Sequence, residues 1–266
     1  MSDIKLVVSD VDQTLIMTRE GEFPRQVMQA VEKLKQKGIV FTLASGRLPY
    51  MLDPYLTAMG LDVPVIACSG GLVYHGETIL IEETYPLSLV RDLIRSADSL
   101  EMTVLYSLKG EEYCYRETDG TRRKKEQRGW YHPLRSIAPE EWDRFCADKV
   151  IIMDDTGRQR ISLLKAEEER ITDGIAFTHY SDAAVEITPG GVNKATGIAR
   201  LCEYLSIRMD EVLAVGDNDN DLEMVRQAGV GVAVANAKSE LKDLADYVCQ
   251  NPGPDGVVEA IEMYCF

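Results

Sequence analysis

Two aspartates one residue apart, Asp10 and Asp12, follow a short apolar run, Ile4-Lys5-Leu6-Val7-Val8-Ser9. On an extended segment, residues two apart face the same way. Both carboxylates then point to one side and repel each other unless something compensates. A hard cation with oxygen ligands supplies that compensation. Alone, the pair reads equally well as a solvated acidic turn. A second acidic run, Gly216-Asp217-Asn218-Asp219-Asn220-Asp221, also follows an apolar segment, Val212-Leu213-Ala214-Val215. Its alternating acids suggest a calcium loop, which needs Gly at its sixth position and Glu at its twelfth. Counted from Asp217, those positions hold Leu222 and Ala228. The run is better read as a second acidic strand end that faces the first across a shared metal.

Two further segments suit an anion. Ala44-Ser45-Gly46-Arg47 ends another apolar run, and it offers a hydroxyl and a glycine N–H just before a predicted helix. In isolation it is an ordinary strand-to-helix turn. Thr188-Pro189-Gly190-Gly191-Val192-Asn193-Lys194 lacks the Gly-x-x-x-x-Gly-Lys-Ser/Thr spacing of a Walker loop. It does set Lys194 at a helix start, where a cation works against the helix dipole. That placement is easier to understand if Lys194 faces acids and phosphate.

Elements with a regular rhythm must hold these residues. Ile4 to Ser9 reads as a buried strand. Pro24 opens a helix with Val27, Ala30, Val31 and Leu34 on one face, and Gly38 ends it. A strand over Ile39–Ala44, a helix over Tyr50–Met59 closed by Gly60, and a strand over Val63–Ala67 follow. This alternation implies right-handed crossovers and a parallel sheet. The rhythm then breaks. Leu72–Tyr74 and Thr78–Ile81 flank a turn as a hairpin. From Glu83 the pattern is mixed: an amphipathic stretch at Leu87–Leu100, strands at Thr103–Tyr106, Glu111–Arg116, Val150–Met153 and Ile175–Thr178, and helices at Pro139–Ala147 and Asp155–Arg170. The parallel rhythm returns with a helix over Lys194–Leu205, the strand at Val212–Val215, a helix over Leu222–Gln227, a strand over Val230–Val234, a helix over Ser239–Ala245, Tyr247-Val248 and a terminal helix from Gly256. The expectation is an α/β fold: a doubly wound, mostly parallel, Rossmann-like core over residues 1–82 and 187–266, with an α+β domain inserted over 83–186.

The bulk numbers agree with a folded globular chain. A chain of 266 residues fits one large or two small domains at roughly 100–200 residues each. With 45% hydrophobic and 27% charged residues, a sizeable core can be buried. The net charge of −15 argues against nucleic acid, whose phosphate backbone needs a basic footprint. The six cysteines form no Cys-x-x-Cys pair and read as scattered reduced thiols of a cytoplasmic protein. No signal-peptide stretch and no run long enough to span a membrane is visible.

The four chemical segments, in their order along the chain, resemble the haloacid dehalogenase-like phosphatases, over essentially the whole chain. The match is best to the Cof-type branch, which carries a large cap after the third core strand. The resemblance implies that Asp10 is a nucleophile forming an aspartyl-phosphate, and that Asp12 is the general acid and then base. It implies Mg²⁺ held by Asp10, the Asp12 main-chain carbonyl and Asp217. Ser45 and the Gly46 N–H would bind phosphate, Lys194 would stabilise the nucleophile and phosphoryl charge, Asn220 would contact phosphate, and Asp221 would support Lys194 or a metal-bound water. The substrate implied is a small phosphate ester such as a sugar phosphate. A phosphosugar mutase resembling phosphomannomutase, or a ligand sensor without turnover, are the competing readings. Gln13 stands where the family usually has Gly, and Ser69-Gly70-Gly71 where it often has Asn-Gly-Ala. In the insert, Thr121-Arg122-Arg123-Lys124-Lys125 reads as a solvated helix face or an anion-attracting patch. Trp130, Tyr131 and His132 are candidates for contacting the substrate's body.

Overall fold

The computed structural model describes residues 3–17, 25–128 and 132–266. Pro24, Trp130 and Tyr131 therefore lie outside the described residues. The chain divides into two units, residues 1–81 with 193–266, and residues 82–192.

The first unit begins with β1 (Leu6–Ser9), α1 (Arg25–Gln36), β2 (Val40–Leu43), α2 (Pro49–Met59), β3 (Val65–Ala67), β4 (Leu72–His75) and β5 (Thr78–Glu82, whose last residue opens the second unit). The second unit contains β6 (Tyr85–Pro86), α3 (Arg91–Ser99), β7 (Thr103–Leu108), β8 (Glu111–Cys114), α4 (Asp119–Arg128), β9 (Cys146–Ala147), β10 (Lys149–Met153), α5 (Lys165–Glu168), β11 (Ile175–Tyr180) and β12 (Ala184–Pro189). The chain then completes the first unit with α6 (Lys194–Leu205), β13 (Val212–Gly216), α7 (Leu222–Gln227), β14 (Val230–Ala233), α8 (Ser239–Leu244), β15 (Tyr247–Val248) and α9 (Gly253–Cys265).

The main sheet of the first unit is parallel, in the order β15-β14-β13-β1-β2. Its strands read as continuous apolar runs because helices cover both faces, and Val7, Val8, Leu213, Ala214 and Val232 are fully buried. Full burial of such a side chain stabilises by roughly 1.5–3 kcal/mol. On α1, Val27, Ala30, Val31 and Leu34 are buried as their spacing predicts. Gly38 follows this helix at φ 73° and Gly60 ends α2 in the left-handed conformation, where a glycine avoids the Cβ clash. The third predicted strand joins less regularly. Among the described residues only Ile66 bridges to the β2 side, at Ala44, and β3 instead pairs antiparallel with β4. No described helix is long and apolar enough to cross a membrane.

In the second unit an antiparallel sheet runs β11-β12-β10-β7-β8. Side chains alternate between its faces. Val104, Tyr106, Val150, Ile152, Val185 and Ile187 pack in one core with Leu87, Leu93, Trp142 and Leu164. Residues 187–189, expected in the parallel core, belong to this sheet instead, with Ile187 paired to both Val150 and Phe177. Two predicted helices are largely replaced by turns. Residues 139–145 form turns before β9. Over 155–160 the Asp154 carboxylate accepts the N–H groups of Thr156 at 3.2 Å and Arg160 at 3.0 Å, and Gly157 takes φ 75°. A side chain that captures nearby N–H groups competes with the helix ladder, so only a 3₁₀ turn over Ile161–Leu164 and α5 remain. The basic run lies on α4, where Arg122 and Arg123 are exposed and Lys124 pairs with Asp155 at 2.8 Å.

Candidate active site

Strand β1 lies between β13 and β2, so successive crossovers leave it in opposite directions. Ligands of open α/β sheets bind beyond the carboxyl ends of the strands at such a switch point. The register sets Ser9 level with Val215 and Leu43. The residues that follow, Asp10, then Gly216-Asp217, then Ala44-Ser45, therefore emerge at one edge of the sheet. The Asp10 N–H donates to the Val215 carbonyl at 2.9 Å, and the Ala44 N–H to the Ser9 carbonyl at 3.0 Å.

Asp10, Asp217 and Asp221 each bring a carboxylate oxygen within 4.8 Å of the other two, and all three are buried. Lys194 Nζ reaches into the group, donating to Asp10 and, at 2.6 Å, to Asp221. It is 1% exposed, so the lysine at the helix start does face acids. Asn193 supplies the capping of α6 that the lysine cannot, accepting the Thr196 N–H at 3.0 Å. Asp221 is fully committed: its other oxygen accepts the N–H groups of Asp217 at 2.9 Å and Asn218 at 3.0 Å. A Cβ on Gly216 would meet the Asp221 side chain at 2.6 Å, so a glycine there lets the acid close the turn. Thr14 Oγ1 donates to Asp217 Oδ1 at 2.8 Å and fixes its orientation. Sequence reasoning misses that bond. Its one signal is Thr14 two residues beyond Asp12, on a segment read as facing one side.

Burial pushes the Asp10 carboxyl up to about 8, against the lowering by Lys194, and Asp221 and Asp217 add to the rise. Burial also raises Asp217. Burial disfavours the Lys194 charge, but Asp10 and Asp221 outweigh it and hold the ammonium protonated. Within this group one cation thus stands against three buried acids. The oxygen donor set and its excess of acid fit a hard divalent ion such as Mg²⁺, with Asp10 and Asp217 as side-chain ligands. The Asp12 carboxylate is not in this group. It is half exposed and is gripped by Arg47.

The effect of a metal on stability has a definite sign. Asp10 has an ordinary value of 3.8 when unfolded and about 8 when folded. The metal-free fold therefore has its full stability from this group below pH 4 and loses it as pH rises through 8. A divalent ion held by this group would bind the deprotonated acids, so it would offset more at high pH. At about 100 times Kd, ligand linkage gives about 2.7 kcal/mol, or a melting gain of about 5–10 °C for a chain of this size. Thermal melts are expected to show a larger Mg²⁺ gain at pH 8 than at pH 5; an equal or reversed gain contradicts the site.

Ser45 is buried, and its Oγ accepts the Arg47 N–H at 3.2 Å. Its hydroxyl proton is then directed elsewhere, as an anion donor requires. Gly46 is half-buried, and a Cβ there would come 3.1 Å from Ser69 Oγ. Asn220 is exposed on the turn between Asp217 and α7. Gly70, at φ 105°, lies so close to Asn193 that a Cβ would be 2.0 Å from its carbonyl. The loop after β3 and the start of α6 are thereby locked together.

Gln13 takes φ 65°, which explains why glycine suits this position. The left-handed conformation costs a side chain about 1–2 kcal/mol, and glycine costs about 0.5–1 kcal/mol of extra entropy. Gln13→Gly is therefore expected to change stability by within about 1 kcal/mol in urea denaturation. In the second unit His132 is buried, with Nδ1 3.1 Å from Glu112 Oε2. Burial and then Lys124 lower its pKa to about 4, which keeps the ring neutral at pH 7.

The sequence profile of the haloacid dehalogenase-like hydrolases matches residues 7–261. The chain is 43% identical over 261 residues to a phosphoglycolate phosphatase of Methanothermobacter thermautotrophicus, covering 98% of this chain and 99% of that protein. It is 29% identical over 259 residues to a 5-amino-6-(5-phospho-D-ribitylamino)uracil phosphatase of Bacillus subtilis, covering 97% of this chain and 95% of the relative. The solved structure of a Thermotoga maritima protein, 24% identical, superposes with a TM-score of 0.84 over 98% of this chain and 97% of that one, which shows a shared fold.

Proposed function

Because the chain belongs to the haloacid dehalogenase-like hydrolases and is a phosphoric-monoester hydrolase, we propose that it hydrolyses a small phosphorylated metabolite through an aspartyl-phosphate on Asp10, with Mg²⁺ as cofactor. The observation that carries this reading is Lys194, buried and bonded at once to Asp10 and Asp221, with Asp217 beside them at the sheet's switch point.

In the first half-reaction an Asp10 carboxylate oxygen attacks phosphorus. The ester P–O bond breaks, its electron pair goes to the leaving oxygen, and Asp12 gives that oxygen a proton. In the second, water attacks the same phosphorus and gives its proton to Asp12. The pair of the breaking bond then returns to the Asp10 carboxylate. Splitting one hard displacement in two is the gain from a covalent intermediate. The Ser45 hydroxyl, the Gly46 N–H and Asn220 hold the phosphoryl oxygens, and Lys194 spreads the charge that develops. Asp221 keeps Lys194 in place. Asp10, Asp217 and the Asp12 carbonyl would hold Mg²⁺, which would offset repulsion between nucleophile and phosphate.

The first substrate to test is phosphoglycolate, because the 43% identical relative bears that name; sugar phosphates come second. Phosphate release is measured across a panel of these esters and an aryl phosphate. Release that requires Mg²⁺ and stops with a chelator is expected. Turnover at full rate in chelator contradicts the metal, and conversion of a sugar bisphosphate without free phosphate points to a mutase instead.

A further inference from the structure

The half-exposed Asp12 carboxylate does not hang free. Arg47, the residue after the phosphate-suited Ser45-Gly46 turn, donates from Nε to Asp12 Oδ2 at 2.9 Å and from Nη2 to Oδ1 at 2.6 Å. Both oxygens are thus held by two parallel bonds, the arrangement that fixes a carboxylate in its own plane. The guanidinium is braced in turn. Its Nη1 donates to Tyr55 Oη at 2.8 Å, and it lies 5.0 Å from the centroid of the Tyr55 ring. Tyr55 is on α2, a helix that follows the same turn. The Arg47 side chain is 15% exposed and that of Asp12 48%. The brace is therefore largely buried, while the acid keeps an open side for a reactant.

We propose that Arg47, braced by Tyr55, is a positioning residue that aims Asp12 at the leaving-group oxygen and, after the alcohol departs, at the attacking water. The inference rests on the reading of Asp12 as proton donor and acceptor. Arg47 touches neither phosphorus nor the bond that breaks; it acts through Asp12. Lysine cannot reproduce it, because a point charge holds one oxygen rather than a plane.

A role through Asp12 has a signature that general loosening of the site lacks. An alkyl leaving group needs a proton as it departs, whereas p-nitrophenolate leaves without one. The ratio kcat/KM reports steps up to the release of that alcohol. In Arg47→Met, kcat/KM for an alkyl phosphate such as phosphoglycolate is expected to fall about 10²-fold, the cost of a displaced catalytic group. For p-nitrophenyl phosphate it is expected to fall at least about tenfold less. With the aryl ester kcat should drop more than kcat/KM, because water attack still needs Asp12, and rapid mixing should show a burst of p-nitrophenol. Arg47→Lys should behave like Arg47→Met. Tyr55→Phe, which removes one hydrogen bond and little volume, should show the same leaving-group split in milder form, and it stands in if the arginine variants do not fold. Equal losses on both esters, or full activity in Arg47→Lys, overturn the proposal. Absence of Mg²⁺-dependent turnover in the unmodified protein on any ester counts instead against the phosphatase mechanism, so the two failures are distinguishable.

Discussion

Asp10→Asn is expected to abolish phosphate release, by about 10⁴-fold or more, in a protein that stays folded. An amide nitrogen or oxygen is a poor nucleophile toward phosphorus, and the neighbouring groups are committed elsewhere. Lys194 carries a positive charge, the Asp221 oxygens are occupied by Lys194 and two N–H groups, and Asp217 is tied to Thr14. The fold should tolerate the change because Asn has the same shape and removes one of three crowded acids. Burial already pushes Asp10 up to about 8, so at pH 8 without metal the variant should melt no lower than the parent. Lys194 keeps Asp221 as its partner. Phosphate release and a melting curve on the same preparation check both halves. A variant that turns over near the parental rate removes Asp10 from the chemistry, whereas one that is inactive because it is unfolded does not test it.

The second large effect is expected from Lys194→Met. Methionine approximates the stem but leaves Asp10, Asp217 and Asp221 without their buried cation. Removing one partner of a buried ion pair costs about 3–5 kcal/mol, chiefly because the remaining charge is uncompensated. Activity should fall about 10²–10³-fold, the usual loss on deleting one preorganised electrostatic group. The destabilisation has a pH signature. The unpaired acids can take up protons, so the loss should be greatest near pH 8 and shrink toward pH 5. Mg²⁺ should restore part of the stability and little of the rate. Urea denaturation of metal-free protein at the two pH values measures this. A loss independent of pH would mean that Lys194 supports packing rather than charge.

Much of this site is legible in the amino-acid sequence because its residues sit at strand ends. A parallel strand announces itself as a short β-branched run, and the residue after it is placed by backbone geometry alone. Asp10, Ser45 and Asp217 can be assigned in that way. Lys194 is legible for a different reason, since a cation at a helix start calls for an explanation. Bonds across long separations are not legible. Thr14 to Asp217 and Arg47 to Asp12 depend on side-chain directions that no local pattern encodes. The second unit is harder still. Its antiparallel pairings join distant segments, and β12 shows the alternation of a half-buried strand only over Val185-Glu186-Ile187-Thr188, a short signal cut off by Pro189 and the glycines after it. The helix expected from 155 fails for a local reason, as Asp154 diverts the N–H groups that a helix would use.

A phosphoryl group carried on Asp10 can be trapped and located. In Asp12→Asn, p-nitrophenyl phosphate can still phosphorylate the enzyme, because its leaving group needs no proton, while water attack loses its base. Acid quench within the first turnover, digestion and mass mapping of the peptides should then reveal a hydroxylamine-labile phosphoryl adduct at Asp10. An adduct on any other residue, or a burst of p-nitrophenol with no adduct at all, contradicts the account.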